Sequence, residues 1–150
     1  MTPRTPLRAF NHPLGESSLT FYATRSKAKR LARDFPRSLH GTPILLPGEK
    51  STQRINLLSW FDRLGIAPTI VADFDDSALM KYFGQAGYGV FCTPSITARH
   101  VEQQYGVSVI GHTDEIVERF YLISSERKVR HPVVRQLMDS ARDLFKSSST

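Results

Sequence analysis

The chain has 150 residues, 40% of them hydrophobic, and a formal net charge of +6. That suffices for one ordinary domain, or two small lobes sharing a hinge, with a real core. No apolar run is long enough to span a membrane, MTPRTPLRAF lacks the apolar stretch of a secretory signal, and the single Cys92 excludes an intramolecular disulfide and a cysteine-built metal site, so the cytoplasm is the expected compartment.

Leu7 to Asn11 predicts a short strand, and His12 to Glu16, with Pro13 and Gly15, predicts a turn or hinge. LTFYAT over 19–24 is rich in β-formers and predicts a strand. Ser26 to Phe35 predicts a helix with Ala28, Leu31, Ala32 and Phe35 inward and Arg25, Lys29 and Arg33 outward, ended by Pro36. Pro43 to Leu46 predicts a buried strand. Pro47-Gly48-Glu49-Lys50 then turns the chain, and Ser51 or Thr52 starts a helix with Leu57, Trp60, Phe61 and Leu64 on one face, closed by Gly65.

Thr69 to Pro94 predicts a βαβ unit. Ile70, Val71, Ala72 and Phe74 suit a buried strand, and Asp75, Asp76 and Ser77 supply helix-start chemistry. Leu79, Tyr82, Phe83 and Ala86 follow at i, i+3, i+4 and i+7, Gly87 ends the helix, and Tyr88 to Cys92 returns as a strand stopped by Thr93-Pro94. Ser95 to Tyr105 predicts a helix with Val101 inward, capped by Gly106, and Val107 to Ile110 a strand. Gly111 to Asp114 reads as a second hinge, Arg119 to Ser124 as a strand, and Pro132 to Phe145 as a last amphipathic helix before the polar tail KSSST. The sum is an α/β chain with mainly parallel strands.

No catalytic set emerges. The five histidines show no metal spacing, Asp73, Asp75 and Asp76 sit where a strand ends and a helix begins, and GQAGYG follows a helix, where a phosphate loop must lead into one. The basic run of Arg25, Lys27, Lys29, Arg30 and Arg33 admits two readings, a solvated helix face or a nucleic-acid patch, and lacks interleaved aromatics for base stacking. Binding remains. Ligands in open α/β sheets settle beyond the carboxyl ends of the strands, here Pro47-Gly48 with Ser51-Thr52, Asp73-Phe74 and Thr93-Pro94, a set that suits a small polar or anionic ligand.

SWFDRLGIAP, followed by IVADFDDSALMKYFGQAGYGVFCTP, VIG and RFYLIS, resembles the effector-binding domain of LysR-type transcriptional regulators. RAFNHPLGESSLTFYAT, FPRSLHGTPILLPG and ERFYLISSERKVRHP resemble its sodium/proton antiporter activator (NhaR-type) branch. The resemblance implies a two-lobed, type 2 periplasmic-binding-protein-like α/β fold with an effector cleft between the lobes. By it, residues 19–111 are the complete second lobe, and residues 1–18 and 112–150 supply crossovers and part of the first. It implies no catalysis, no cofactor and no bound metal, a small-molecule or ion effector, self-association into a homo-oligomer, and sensitivity to sodium and alkaline conditions. His12, Gly15, Gly111 and His112 fall in the implied hinges, where protonation of the two histidines would bias lobe closure. A winged helix-turn-helix has no counterpart here, so DNA contact is expected through a missing N-terminal domain, the chain being a fragment or completed by a partner. The rival readings are a nucleic-acid-binding module and an enzyme on a related two-lobed fold.

Overall fold

A computed structural model describes residues 8–148. Leu7 and the last two residues of the KSSST tail, which figure in the expectations above, lie outside the described residues. The chain divides into two compact units, one spanning Ser18–Glu118 and the other made of the residues up to Ser17 together with those from Arg119 onward. Among the described residues, no helix is long and apolar enough to cross a membrane.

The larger unit is built on the strand β1 (Phe10–Thr24). Its segment Leu19 to Ala23 is buried on both faces, as a central strand's β-branched and aromatic residues require. Successive side chains of a strand point to opposite faces. Phe21 therefore packs against Trp60, Phe61 and Phe35, with ring centroids 5.7, 6.5 and 5.2 Å away. Tyr22 faces the other side and stacks on Phe91 at 5.1 Å. Two apolar clusters follow from that alternation. One includes Leu31 of α1 (Arg25–Ala32) and Leu57, Trp60 and Phe61 of α2 (Thr52–Leu64). The other includes Met80 of α3 (Ser77–Gln85) and Val101 of α4 (Ala98–Tyr105).

The strand pairing is mixed rather than uniformly parallel. β2 (Pro43–Pro47) and β3 (Thr69–Phe74) pair in parallel, and a parallel bridge between Ile44 and Val90 joins β2 to the start of β4 (Phe91–Pro94). β4, however, pairs antiparallel with β1, which lies between β4 and β5 (Val107–Ser124). Gly65 and Gly106 end their helices with φ of 68° and 63°, the left-handed conformation that lets a terminal N–H reach back to orphan carbonyls. Of the expected helix-start residues, Asp76 makes the cap, accepting from the Ala78 and Leu79 amides at 2.8 and 3.4 Å.

Several expectations need correction. β3 is not buried: Ile70 and Val71 are 46% and 48% exposed, because β3 has β2 as its only neighbour among the described strands. In α3, Met80 and Gly84 face the core, while Leu79 and Tyr82 stand exposed. Ala32 and Leu64 also point outward. The helix expected from Ser95 opens as a 3-10 turn, Ser95–Thr97, and α4 begins at Ala98. No turn interrupts residues 12–16 or 111–114, since β1 and β5 run straight through them and so pass from one unit into the other.

In the smaller unit, the outer segments of β1 and β5 meet α5 (Pro132–Ser148). Phe120 and Phe145 are 5.2 Å apart, and the Arg142 Nε donates to the Pro13 carbonyl at 2.9 Å. Gly15 lies so close to Phe145 that a side chain there would collide with its ring.

Candidate functional site

β2, β3 and β4 all end at one side of the larger unit. The antiparallel register brings β1 into the same place, with Leu19 opposite Pro94 and Thr20 opposite Thr93. Ser18 and Ser95, one step beyond that pair, consequently meet. The Ser18 hydroxyl donates to Ser95 Oγ at 2.7 Å, and Thr20 Oγ1 lies 2.7 Å from the same oxygen. Ser18 and Ser95 are half-buried and within reach of a ligand, while Thr20 is buried beneath them and braces Ser95 from inside.

A second polar group sits on the first turn of α2. Gln53 Nε2 donates to the Glu118 carboxylate at 2.6 Å, and its amide oxygen accepts a weak bond from the Cys92 thiol at 3.9 Å. Burial raises the Glu118 carboxyl above its ordinary value of 4.5, and the bond from Gln53 offsets part of the rise. Burial also pushes the Cys92 thiol up, with the Glu118 charge adding to it, so the sulfur stays protonated and is no nucleophile.

The residues expected at the strand ends fall into three situations. Asp73 is engaged by Arg54, whose Nη1 also lies 3.4 Å from the Pro47 carbonyl oxygen. Pro47 stands opposite Phe74, the Gly48 amide donates to the Phe74 carbonyl at 2.8 Å, and Phe74 packs on Phe83 at 5.5 Å. These residues form a braced corner between β2 and β3. Thr93 is buried, with Oγ1 at 2.8 Å from the Tyr22 hydroxyl and 3.0 Å from Thr97 Oγ1, and so is spent inside the protein; Pro94 beside it is half-buried. Desolvation raises the Tyr22 phenol to about 12 and keeps it a neutral partner in that bond. Ser51 occupies the N-cap of α2 without a side-chain bond to it, and Thr52 is exposed, which leaves the first-turn amides uncapped by either hydroxyl.

The four expected hinge residues are not brought together. His12 Nε2 lies 3.1 Å from the Glu126 carbonyl oxygen, and Gly15 faces Phe145, both in the smaller unit. Gly111 and His112 belong to the larger unit. Gly111 makes room for Phe35, and exposed His112 lies 3.9 Å from Asp114. Sequence reading missed Ser18, Thr20, Gln53, Ser95 and Glu118. Ser95 follows the Thr93-Pro94 strand end directly and was within reach of the same argument; the other four required knowledge of strand register and helix placement.

The profile of the LysR substrate binding domain matches residues 2–146. The chain is 30% identical over 131 residues to the transcriptional activator protein NhaR of Escherichia coli (strain K12), an alignment covering 87% of this chain and 42% of NhaR. It thus spans about two fifths of that relative's length. Among solved structures, the effector domain of the transcriptional regulator AmpR of Pseudomonas aeruginosa aligns with a TM-score of 0.68 at 19% identity, over 95% of this chain and 69% of AmpR's. The effector binding domain of QuiR in complex with shikimate aligns with a TM-score of 0.63 at 19% identity, over 98% of this chain and 69% of QuiR's. At such identities the structures show the fold alone, the type 2 periplasmic-binding-protein-like α/β fold of regulator effector domains. Because the family profile covers nearly the whole chain, the protein belongs to the LysR family and carries its substrate-binding domain.

Proposed function

We propose that the chain is the effector-sensing module of a LysR-type transcriptional regulator of the antiporter-gene activator type, and that it catalyses no reaction. The observation that carries this reading is the Ser18–Ser95–Thr20 hydroxyl cluster at the carboxyl end of β4, supported by the Gln53–Glu118 couple on the first turn of the helix that follows β2. These groups give a small polar molecule or an ion several donors and acceptors but no activated nucleophile, since Cys92 is buried and protonated and Asp73 is engaged by Arg54. QuiR, a structural neighbour, is complexed with shikimate, a small hydroxylated acid, which is in keeping with such a site. The effector acts by binding one arrangement of β1 and β5 better than another, which is the only way a ligand shifts a conformational equilibrium. DNA contact belongs to a part of the regulator outside these residues, and a second copy of the chain is the partner of the exposed β3 edge, where Ile70 and Val71 are uncovered.

The test is an amide chemical-shift titration of the chain with sodium chloride, potassium chloride and small hydroxy acids such as shikimate. The reading expects saturable shifts at Ser18, Thr20, Gln53, Ser95 and Glu118 with at least one of them, and a roughly tenfold loss of affinity in Ser95→Ala. Shifts centred elsewhere with every probe would reject it. The nucleic-acid reading draws on the exposure of Arg25, Lys27, Lys29, Arg30 and Arg33 along α1. Sequence-specific retention of DNA by this chain alone, falling with salt, would favour it instead.

A further inference from the structure

The larger unit has a cavity at the other end of its strands from the hydroxyl trio. β1 finishes there at Ala23-Thr24, β2 begins there at Thr42-Pro43, and Gly89-Val90 lead into β4. The cavity measures about 190 Å³, the volume of roughly six waters at liquid density. That admits a benzoate-sized molecule.

Three features define its chemistry. The apolar floor comes from Ala23, Leu31, Pro43 and Val90. Lys27 and Arg30, one turn apart on α1, stand on the same wall, and no carboxylate lines the cavity. Lys27 Nζ donates to the Gly87 carbonyl at 3.4 Å, and neither cation forms an ion pair among the described residues. The surrounding segment from Arg25 to His40 adds Arg25, Lys29, Arg33 and Arg37 against the single acid Asp34, so the local field is positive. Lastly, Gly41, Gly87 and Gly89 line the cavity, leaving backbone where side chains would fill it. A Cβ on Gly89 would stand 3.1 Å from the Pro43 carbonyl oxygen, and Gly87 holds a φ of 91°.

An apolar floor beside two uncompensated cations is complementary to an amphipathic anion. We propose that this cavity binds a small organic monocarboxylate, its carboxylate held by Lys27 and Arg30 and its apolar body on the floor. The site is separate from the one at the carboxyl ends of the strands and does not depend on the reading given to that one.

Amide chemical-shift titration of the chain with sodium benzoate tests this, with benzamide as the neutral isostere and inorganic phosphate as the anion without an apolar body. Saturable shifts are expected with benzoate at Thr24, Gly41, Thr42, Gly87 and Gly89, with benzamide and phosphate each about tenfold weaker or more. Lys27→Gln and Arg30→Gln should each weaken benzoate by about threefold or more while leaving the rest of the spectrum unchanged, since both side chains are exposed. Benzamide matching benzoate, phosphate binding tighter than benzoate, benzoate shifts confined to Ser18 and Ser95, or no saturation in the millimolar range would each overturn the proposal.

Discussion

Gly84→Ala sets two effects of opposite sign against each other. In an exposed helix interior the exchange stabilises by about 1 kcal/mol, because alanine loses less backbone entropy than glycine. Gly84 is buried in α3, however, and a Cβ there would run into the ring of Phe91, with Cγ at 3.2 Å and the ring edge nearer still. The ring has little freedom to yield: Phe91 is fully buried and stacked on Tyr22, whose hydroxyl is held by Thr93 at 2.8 Å. Inserting a methyl into such packing costs about 1–3 kcal/mol. The clash outweighs the helix gain, and the net loss is about 1–2 kcal/mol. For a chain of this size that lowers Tm by about 2–8 °C. Urea and thermal unfolding of the variant measure the loss, and the double variant with Phe91→Leu measures the coupling. A leucine in place of the Phe91 ring makes room for the methyl, so the two losses should sum to more than the double variant shows, by at least about 0.5 kcal/mol. A stabilised Gly84→Ala protein, or strict additivity with Phe91→Leu, would refute the argument.

Glu118→Gln tests the raised carboxyl. A folded-state value above the unfolded one gives stability that is complete below about 4.5 and lost as pH rises through the folded value, so the variant should gain on the wild type as pH climbs from about 4 to 7. A stability difference that is flat across that range, measured from urea midpoints, would show that Glu118 is not desolvated. Cys92, buried and with its thiol pushed up, should react with Ellman's reagent only as fast as the protein unfolds, and native-state labelling as fast as that of free cysteine would contradict its placement. Val71→Lys places a charge on the exposed β3 edge and should reduce self-association in sedimentation velocity without lowering Tm; unchanged association would remove that edge as the contact.

The local signals that proved legible were those with a strictly local cause. Gly65 and Gly106 end helices because the last turn needs a left-handed residue, and Asp76 caps α3 because a short carboxylate reaches the free amides. Glycine misled where its cause was distant. Gly15 and Gly111 suggested turns, yet they sit inside long strands, where the missing side chain makes way for Phe145 and Phe35. The same blindness turned α3: apolar spacing favoured Leu79 and Tyr82, while the buried face runs through Gly84, which has no side chain for a periodicity to count. β3 shows a different limit. Ile70, Val71 and Ala72 have the composition of a buried strand, but composition says nothing about position within a sheet, and β3 is paired on one side only among the described strands.

The site itself was half legible for a related reason. Strand ends can be found along the chain, and Pro47, Phe74 and Pro94 are where ends were expected. The hydroxyl cluster and the Gln53–Glu118 couple are made by pairs 77, 75 and 65 residues apart, created by one antiparallel register and one helix placement. Their location bears on mechanism. Ser18 is the first residue of the larger unit on β1, and Glu118 is its last on β5. Each strand that leaves the unit therefore carries a polar group at the point of departure, bonded to a partner, Ser95 or Gln53, that belongs wholly to the unit. On the function proposed above, an effector that competes for Ser95 or Gln53 would change the bonding of Ser18 and Glu118. A hydrogen bond contributes about 0.5–1.5 kcal/mol net, and allosteric coupling is typically about 1–3 kcal/mol. On that proposal, exchanging two such bonds matches the size of a typical coupling.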